Sequence, residues 1–243
     1  MEIAGVAFAV QPIFESTRAY CASYLTEREP EYRLCVLREE LIQEQRLLDL
    51  DADEEGLKRR KFSEPFLERS VIQRKVAQML LEQDVLLMHG STVAVDGQAY
   101  LFTAPCGTGK STHTKLWLEV FGDRAYILND DKPALRLIDG VWYACGTPWS
   151  GKYDISRPAC VPLAGIAFLN RDTTNHIEPY KGIKAVHELL NQTVRPQSAA
   201  KKMELLELVG RLVTEIPVWK LFCNMDLSAV DVSFGAMSGE VKE

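Results

Sequence analysis

Residues 100–112 read Tyr-Leu-Phe-Thr-Ala-Pro-Cys-Gly-Thr-Gly-Lys-Ser-Thr, and His113 to Phe121 continue with apolar residues at helical spacing. An apolar β-rich run, a glycine-bearing loop and a helix opening on Lys-Ser are the strand–loop–helix context of a phosphate-binding loop. Gly107 and Gly109 let backbone N–H groups turn inward around a phosphate, and the positive end of the helix dipole adds to the same field. Lys110 can reach the β- and γ-phosphates, and Ser111 can offer its hydroxyl to Mg²⁺. Cys106, Thr108 and Thr112 complete the candidate nucleotide-binding set. The full G-x-x-x-x-G-K-[ST] pattern begins with glycine, whereas this chain has Ala104, which enters positive-φ conformations less freely.

A second signal lies downstream in Tyr126-Ile127-Leu128-Asn129-Asp130-Asp131. Adjacent carboxylates at the end of an apolar strand suit Mg²⁺ binding and acceptance of a proton from a hydroxyl. Neighbouring strand residues face opposite ways, so one Asp can orient the metal or its water while the other faces an acceptor. His89-Gly90, just before the β-pair that feeds the loop, is a candidate for phosphate contact or proton movement. His113, early in the loop's helix, is expected to pack or cap that helix. His176 and His187 supply no compact metal-ligand spacing.

Working outward, Asp96-Gly97 and Asp139-Gly140 each separate two short apolar runs and predict hairpins. Gly5–Val10 reads as a short strand and Ser16–Leu25 as helix-compatible. Glu27–Lys61 is dense in both charges and predicts a strand, a polar connection and at most a short helix. Ser63 offers an N-cap to a long helix over 64–83. Strands are expected over 125–130, 133–138, 141–146 and 163–170, helices over 183–192 and 198–213, and a strand over 217–224. In the second of these helices Met203, Leu206, Val209 and Val213 form the expected buried side. The last thirteen residues predict short structure and a frayed tail. The division expected is a small N-terminal α/β region, 1–62, and a nucleotide-binding catalytic domain, 63–243.

The 243 residues carry 28 Lys plus Arg against 34 Asp plus Glu, a net charge of −6, which gives no global pull toward nucleic acid or an anionic membrane. Lacking a basic leader or a long apolar run, the chain is expected to be cytoplasmic. Its six cysteines, scattered without a CxxC pair, argue against a disulfide scaffold and a Cys-rich zinc site; most are expected to be small buried side chains. Cys106 is expected to supply loop geometry rather than a nucleophile. Gly146–Tyr153, Gly-Thr-Pro-Trp-Ser-Gly-Lys-Tyr, combines turn residues with aromatic and cationic side chains. It is a candidate acceptor loop or lid, with Trp149 and Lys152 as contacts to substrate or phosphate. Arg171 is a further candidate phosphate contact, and Arg195 a weaker one.

The run His89–Trp117, followed by Ala125–Leu135, resembles the catalytic domain of the HPr kinase/phosphorylase family and, more distantly, the ATP-dependent phosphoenolpyruvate carboxykinase superfamily. His89-Gly90, Cys106–Ser111 and Asp130-Asp131 carry the resemblance, which covers roughly residues 85–175. It implies a strongly bent mixed β-sheet with peripheral helices, a P-loop kinase core, and ATP with Mg²⁺ as cofactors. It also implies Lys110 as the phosphate lysine, Ser111 as a metal ligand and Asp130 with Asp131 as the metal/base pair. The expected activity is transfer of a γ-phosphoryl group to a hydroxyl of a small molecule, peptide or protein serine. A non-kinase NTPase, a reversible phosphorylase and a non-catalytic nucleotide-binding module stay open, as do ATP against GTP and the oligomeric state.

Overall fold

A computed structural model describes residues 1–239 apart from 55, 57 and 197. The N-terminal chain forms β1 (Glu2–Ile3), β2 (Val6–Gln11), α1 (Glu15–Tyr20) and β3 (Tyr32–Cys35), with the strands in one small sheet in the order β1-β2-β3. Two helices follow, α2 (Arg38–Glu54) and α3 (Glu64–Leu81). The buried Glu68 of α3 accepts the backbone N–H groups of Ile13 and Phe14, so the entry to α1 is held by a carboxylate from α3.

The main sheet comprises β4 (Val85–Leu87), β5 (Ser91–Val95), β6 (Gln98–Thr103), β7 (Ala125–Asn129), β8 (Ala134–Ile138), β9 (Val141–Cys145), β10 (Cys160–Arg171), β11 (His176–Pro179) and β12 (Val218–Cys223). Its main path runs β4-β8-β9-β10-β6-β5-β7, and β12 pairs with both β10 and β11. The twelve-residue β10 changes partners along its length. Residues 160–162 pair antiparallel with β9, while the remainder runs parallel to β6 and β12, with a register shift at Leu163/Gly165. One long strand thus belongs to two differently oriented halves, and the mixed sheet curls strongly around it. Asp96-Gly97 and Asp139-Gly140 make the β5–β6 and β8–β9 hairpins with positive φ at both residues of each turn.

Alternation along the central strands divides the core. Leu101, Ile166, Phe168 and Val218 face one cluster, which α5 (Gly182–Asn191) and α6 (Ala199–Glu215) cover through Ala185, Leu189, Leu208 and Leu212. Tyr100, Phe102, Ala167 and Leu221 face the other, covered by α4 (Lys110–Phe121) and α7 (Ser228–Met237) through Trp117, Ala229, Val230 and Met237. A third cluster joins Ile3, Val6, Phe8 and Leu41 to Val71, Val76, Leu80, Leu87 and Trp149, so residues from both sides of position 62 share one core.

Four expectations are corrected. The charged segment 27–61 holds the seventeen-residue α2, whose buried Glu44 pairs with Arg74 of α3 at 2.8 Å; ion pairing lets a helix with little apolar surface dock. In α6 the buried side is Leu205, Leu208, Val209 and Leu212, while Met203 and Leu206 are exposed. Cys145 and Cys160 form a disulfide across the antiparallel β9–β10 pair, and Cys35 and Cys106 are exposed. Ser63 precedes α3 without a side-chain capping bond. The tail expected to fray, 240–243, lies outside the described residues.

Candidate functional site

Sheet order gathers the sequence candidates at one edge. Strands β6, β7 and β10 end there, and β5, antiparallel to β6, begins there, with Ser91 opposite Phe102 and Thr92 opposite Asn129. The carboxyl edge of the parallel strands is where open α/β sheets generally bind ligands.

After β6, Ala104–Gly109 form the loop that leads into α4. Gly107 and Gly109 have φ of 78° and 124°, and a Cβ added at either would meet open space. Their glycine requirement is therefore conformational rather than a matter of space. Lys110 is buried, and its Nζ donates to the carbonyl oxygens of Ala104 at 2.8 Å and Pro105 at 3.2 Å. Among the described residues no carboxylate forms an ion pair with it within 4.0 Å. Burial lowers its pKa first, the charge of Lys132 lowers it further, and Cys106, Asp131 and Asp130 oppose the shift. Arg171, at the end of β10, donates to the Gly107 and Thr108 carbonyls and buttresses the loop from outside. Thr108 closes the loop on itself through Oγ1 to the Pro105 carbonyl at 2.9 Å. Cys106 and Thr112 are exposed, and Ser111 is half-buried at the start of α4.

Asp130 is buried. Its Oδ1 accepts from Ser91 Oγ at 2.7 Å, and Ser91 Oγ lies 2.8 Å from Thr114 Oγ1 on α4. This relay ties the carboxylate to the helix that carries Lys110 and Ser111. Asp131 lies half-buried beside Lys132 Nζ at 3.0 Å and His89 Nε2 at 3.6 Å, while its carbonyl accepts from Gly90 N at 2.9 Å. The fully buried Asn129 sets the turn. Its Oδ1 accepts from the N–H groups of Asp131 and Lys132, and its Nδ2 donates to the Thr147 carbonyl. Burial, with Lys132 and Lys110 nearby, pushes the pKa of His89 down to about 2, so its imidazole is neutral at physiological pH. His113 packs at an edge against Phe102, accepts from Trp117 Nε1 at 3.1 Å, and has its pKa lowered by burial to about 4.

The 146–153 segment borders the carboxylates through its backbone. Gly151, at φ 71°, passes so close that an added Cβ would lie 3.1 Å from Asp131 Cβ. Lys152 and Lys115 both sit over the Tyr153 ring, at 4.6 and 3.8 Å from its centroid. Trp149 is buried in the third core, and its indole N–H donates to the Arg69 carbonyl at 3.1 Å, so that side chain serves packing rather than an open ligand surface. On the other side of His89 lies a cleft of about 800 Å³. Pro105, Cys106, His89, Lys132, Arg74 and Arg195 are among the residues that line it.

Ser91, Thr114 and Lys132 were not singled out by sequence reasoning. Ser91 and Thr114 are ordinary strand and helix residues, and only the strand order reveals their contact. Lys132, next to the Asp pair, carried a local signal in its charge. No three His, Cys, Asp or Glu side chains converge as a metal-binding group among the described residues, and no helix among them is long and apolar enough to cross a membrane.

No family model matches this chain, and no curated protein sequence does. Among solved structures it is similar to the Hpr(Ser) kinase/phosphatase from Coxiella burnetii, with 9% identity and a TM-score of 0.36. That match covers 64% of this chain and 96% of the other. No residue role in this chain follows from a likeness of that size.

Proposed function

We propose that the chain is an ATP- and Mg²⁺-dependent phosphotransferase acting on a hydroxyl acceptor. The reading rests on one constellation. Among the described residues the buried ammonium of Lys110 has neutral carbonyls as its hydrogen-bond partners in a positive-φ loop, and two carboxylates lie at the same sheet edge. A buried ammonium among neutral dipoles gains most from an anion, and exposed loop amides favour the same ligand. That donor set fits a polyphosphate. The residues also fit Mg²⁺, which binds through one or two carboxylates completed by phosphate oxygens and water rather than through a dedicated protein cage. Ser111 with Asp130 or Asp131 would hold it.

When bound, Mg²⁺ would offset charge between the β- and γ-phosphates. Lys110 would release its two carbonyl bonds and stabilise charge on the transferring group. Asp130, held by Ser91, has a fixed orientation suited to the metal or its water. Asp131, in contact with His89 and Lys132, both of which line the cleft, is suited to orient the acceptor hydroxyl and take its proton. Arg171 would preserve loop shape.

A γ-labelled ATP transfer assay and calorimetric Mg²⁺–ATP titration, each with Lys110→Met, test the reading. The expected result is acceptor-dependent labelling that falls about 100-fold or more in the variant. Nucleotide affinity indifferent to Lys110→Met would refute it. ATP turnover without label on any organic acceptor would shift the assignment to an NTPase.

A further inference from the structure

The cleft beside the phosphate loop has a polarity that narrows the acceptor. It is lined by Pro105 and Cys106 of the loop, by His89 and Lys132, by Glu44 and Asp51 of α2 with Arg74 of α3, and by Arg195. The charges differ in availability. Arg74 is committed to Glu44 at 2.8 Å and Asp51 at 3.0 Å, which accounts for both wall carboxylates. Lys132 is committed to Asp131 at 3.0 Å. Arg195 is exposed and donates to the neutral Asn191 Oδ1 at 3.0 Å; among the described residues it forms no ion pair.

Its position is also built. Val194 N donates to the Leu87 carbonyl at 3.1 Å, His89 N donates to the Gln192 carbonyl, and Met88 bridges Thr193. The chain before Arg195 therefore runs antiparallel beside the end of β4, with Gln192 opposite His89, so that Arg195 lies three residues further on and is carried away from His89. A triphosphate in the loop would make the His89 end of the cleft strongly anionic. An acceptor carrying its own negative charge must then bind with its hydroxyl toward Asp131 and its charge away from the loop, where Arg195 stands.

We propose that this cleft is the acceptor site, and that it takes a small hydroxy compound bearing a carboxylate or phosphate, with Arg195 as the anion-binding, specificity-determining residue. The proposal rests on the phosphotransferase reading for the direction of the hydroxyl. The anion site itself stands on the cleft's charges. About 800 Å³ is room for a small molecule and falls in the usual range for such sites.

Binding is measured by titration calorimetry on the whole chain, with and without Mg²⁺ and a non-hydrolysable ATP analogue. The probes are glycerate, N-acetylserine and glycerol 3-phosphate against the neutral glycerol and N-acetylserinamide. Comparing the two carboxylates with the phosphate separates the sources of negative charge. Anionic probes are expected to bind, the neutral ones about 10- to 100-fold more weakly, and Arg195→Gln to remove that difference. Arg33→Gln, on the N-terminal sheet, is the charge-matched control. Equal binding of anionic and neutral probes, no binding of any probe, or an anion preference that survives Arg195→Gln would each overturn the proposal, as would labelling of a protein acceptor alone. Failure of the ATP analogue to bind while Arg195-dependent anion binding persists would instead refute the phosphotransferase reading and leave the anion site standing.

Discussion

Ser91→Ala tests whether the relay from β5 organises the site. Ser91 and Thr114 are fully buried, and Asp130 is 8% exposed. The substitution removes a 2.7 Å bond to a carboxylate and a 2.8 Å contact between hydroxyls. A charge-assisted bond is worth about 1.5–3 kcal/mol, and a neutral one about 1 kcal/mol. Thr114 Oγ1 also lies 3.3 and 3.4 Å from the Lys110 and Ser111 carbonyls, so its single hydroxyl proton can turn to them when Ser91 Oγ is lost. Slight exposure of Asp130 lets water replace part of the lost donor. The expected destabilisation is about 2–3 kcal/mol, read from the urea midpoint at unchanged m value, or about 4–12 °C in Tm for a chain of this length. A double-mutant cycle with Thr114→Val isolates the hydroxyl–hydroxyl contact. Phosphoryl transfer should fall more than nucleotide affinity, because Asp130 loses orientation while the loop keeps Lys110. A loss below about 0.5 kcal/mol, with transfer unaffected, would refute the relay.

Two further outcomes follow from buried chemistry elsewhere. His113 has a folded pKa lowered to about 4, against about 6.5 in the unfolded chain, so the unfolded state binds the extra proton as pH falls between those values. Its stabilisation is complete above pH 6.5 and is lost toward pH 4, at about 1 kcal/mol per unit near pH 5. Urea titrations at pH 5 and 7 should show a flatter dependence in His113→Gln, and an unchanged dependence would sink the assignment. Reducing Cys145–Cys160, whose separation is 15 residues, should cost about 3 kcal/mol and lower Tm by about 6–12 °C. Thiol titration of the unfolded protein should count four thiols before reduction and six after; six before reduction would show that the bond is absent.

Local signals were legible where one stretch of chain determines the outcome. Asp-Gly turns read correctly because a two-residue hairpin depends on the conformations of those two residues. The loop at 104–109 read correctly as an interrupted strand-to-helix turn, with its glycines at positive φ. Signals failed where a partner decides. Within 203–213, apolar residues recur densely enough to draw two overlapping stripes, and only the packing against α5 selects Leu205, Leu208 and Leu212 over Met203 and Leu206. Charge concealed α2, because the ion pair that buries Glu44 comes from α3 thirty residues later. The Cys145–Cys160 bond follows from the antiparallel register of β9 and β10, which cysteine spacing does not encode.

The same distinction explains why Lys110 and the Asp pair stand out in the sequence while the residues that hold them do not. Groups suited to chemistry have unusual residue types in unusual runs, whereas their supports are common residues brought in by strand order. Placing β6 between β10 and β5 sets Arg171 on one side of the loop and Ser91 on the other. Placing β7 beyond β5 brings Asn129, Asp130 and Asp131 to the same edge. A one-residue slip of β5 against β6 would turn Ser91 to the opposite face and part it from Asp130 and Thr114. The fold therefore contributes to the site chiefly through register. Substitutions that preserve every candidate site residue but shift the β5–β6 hairpin, such as lengthening the Asp96-Gly97 turn by one residue, should impair transfer as severely as Ser91→Ala.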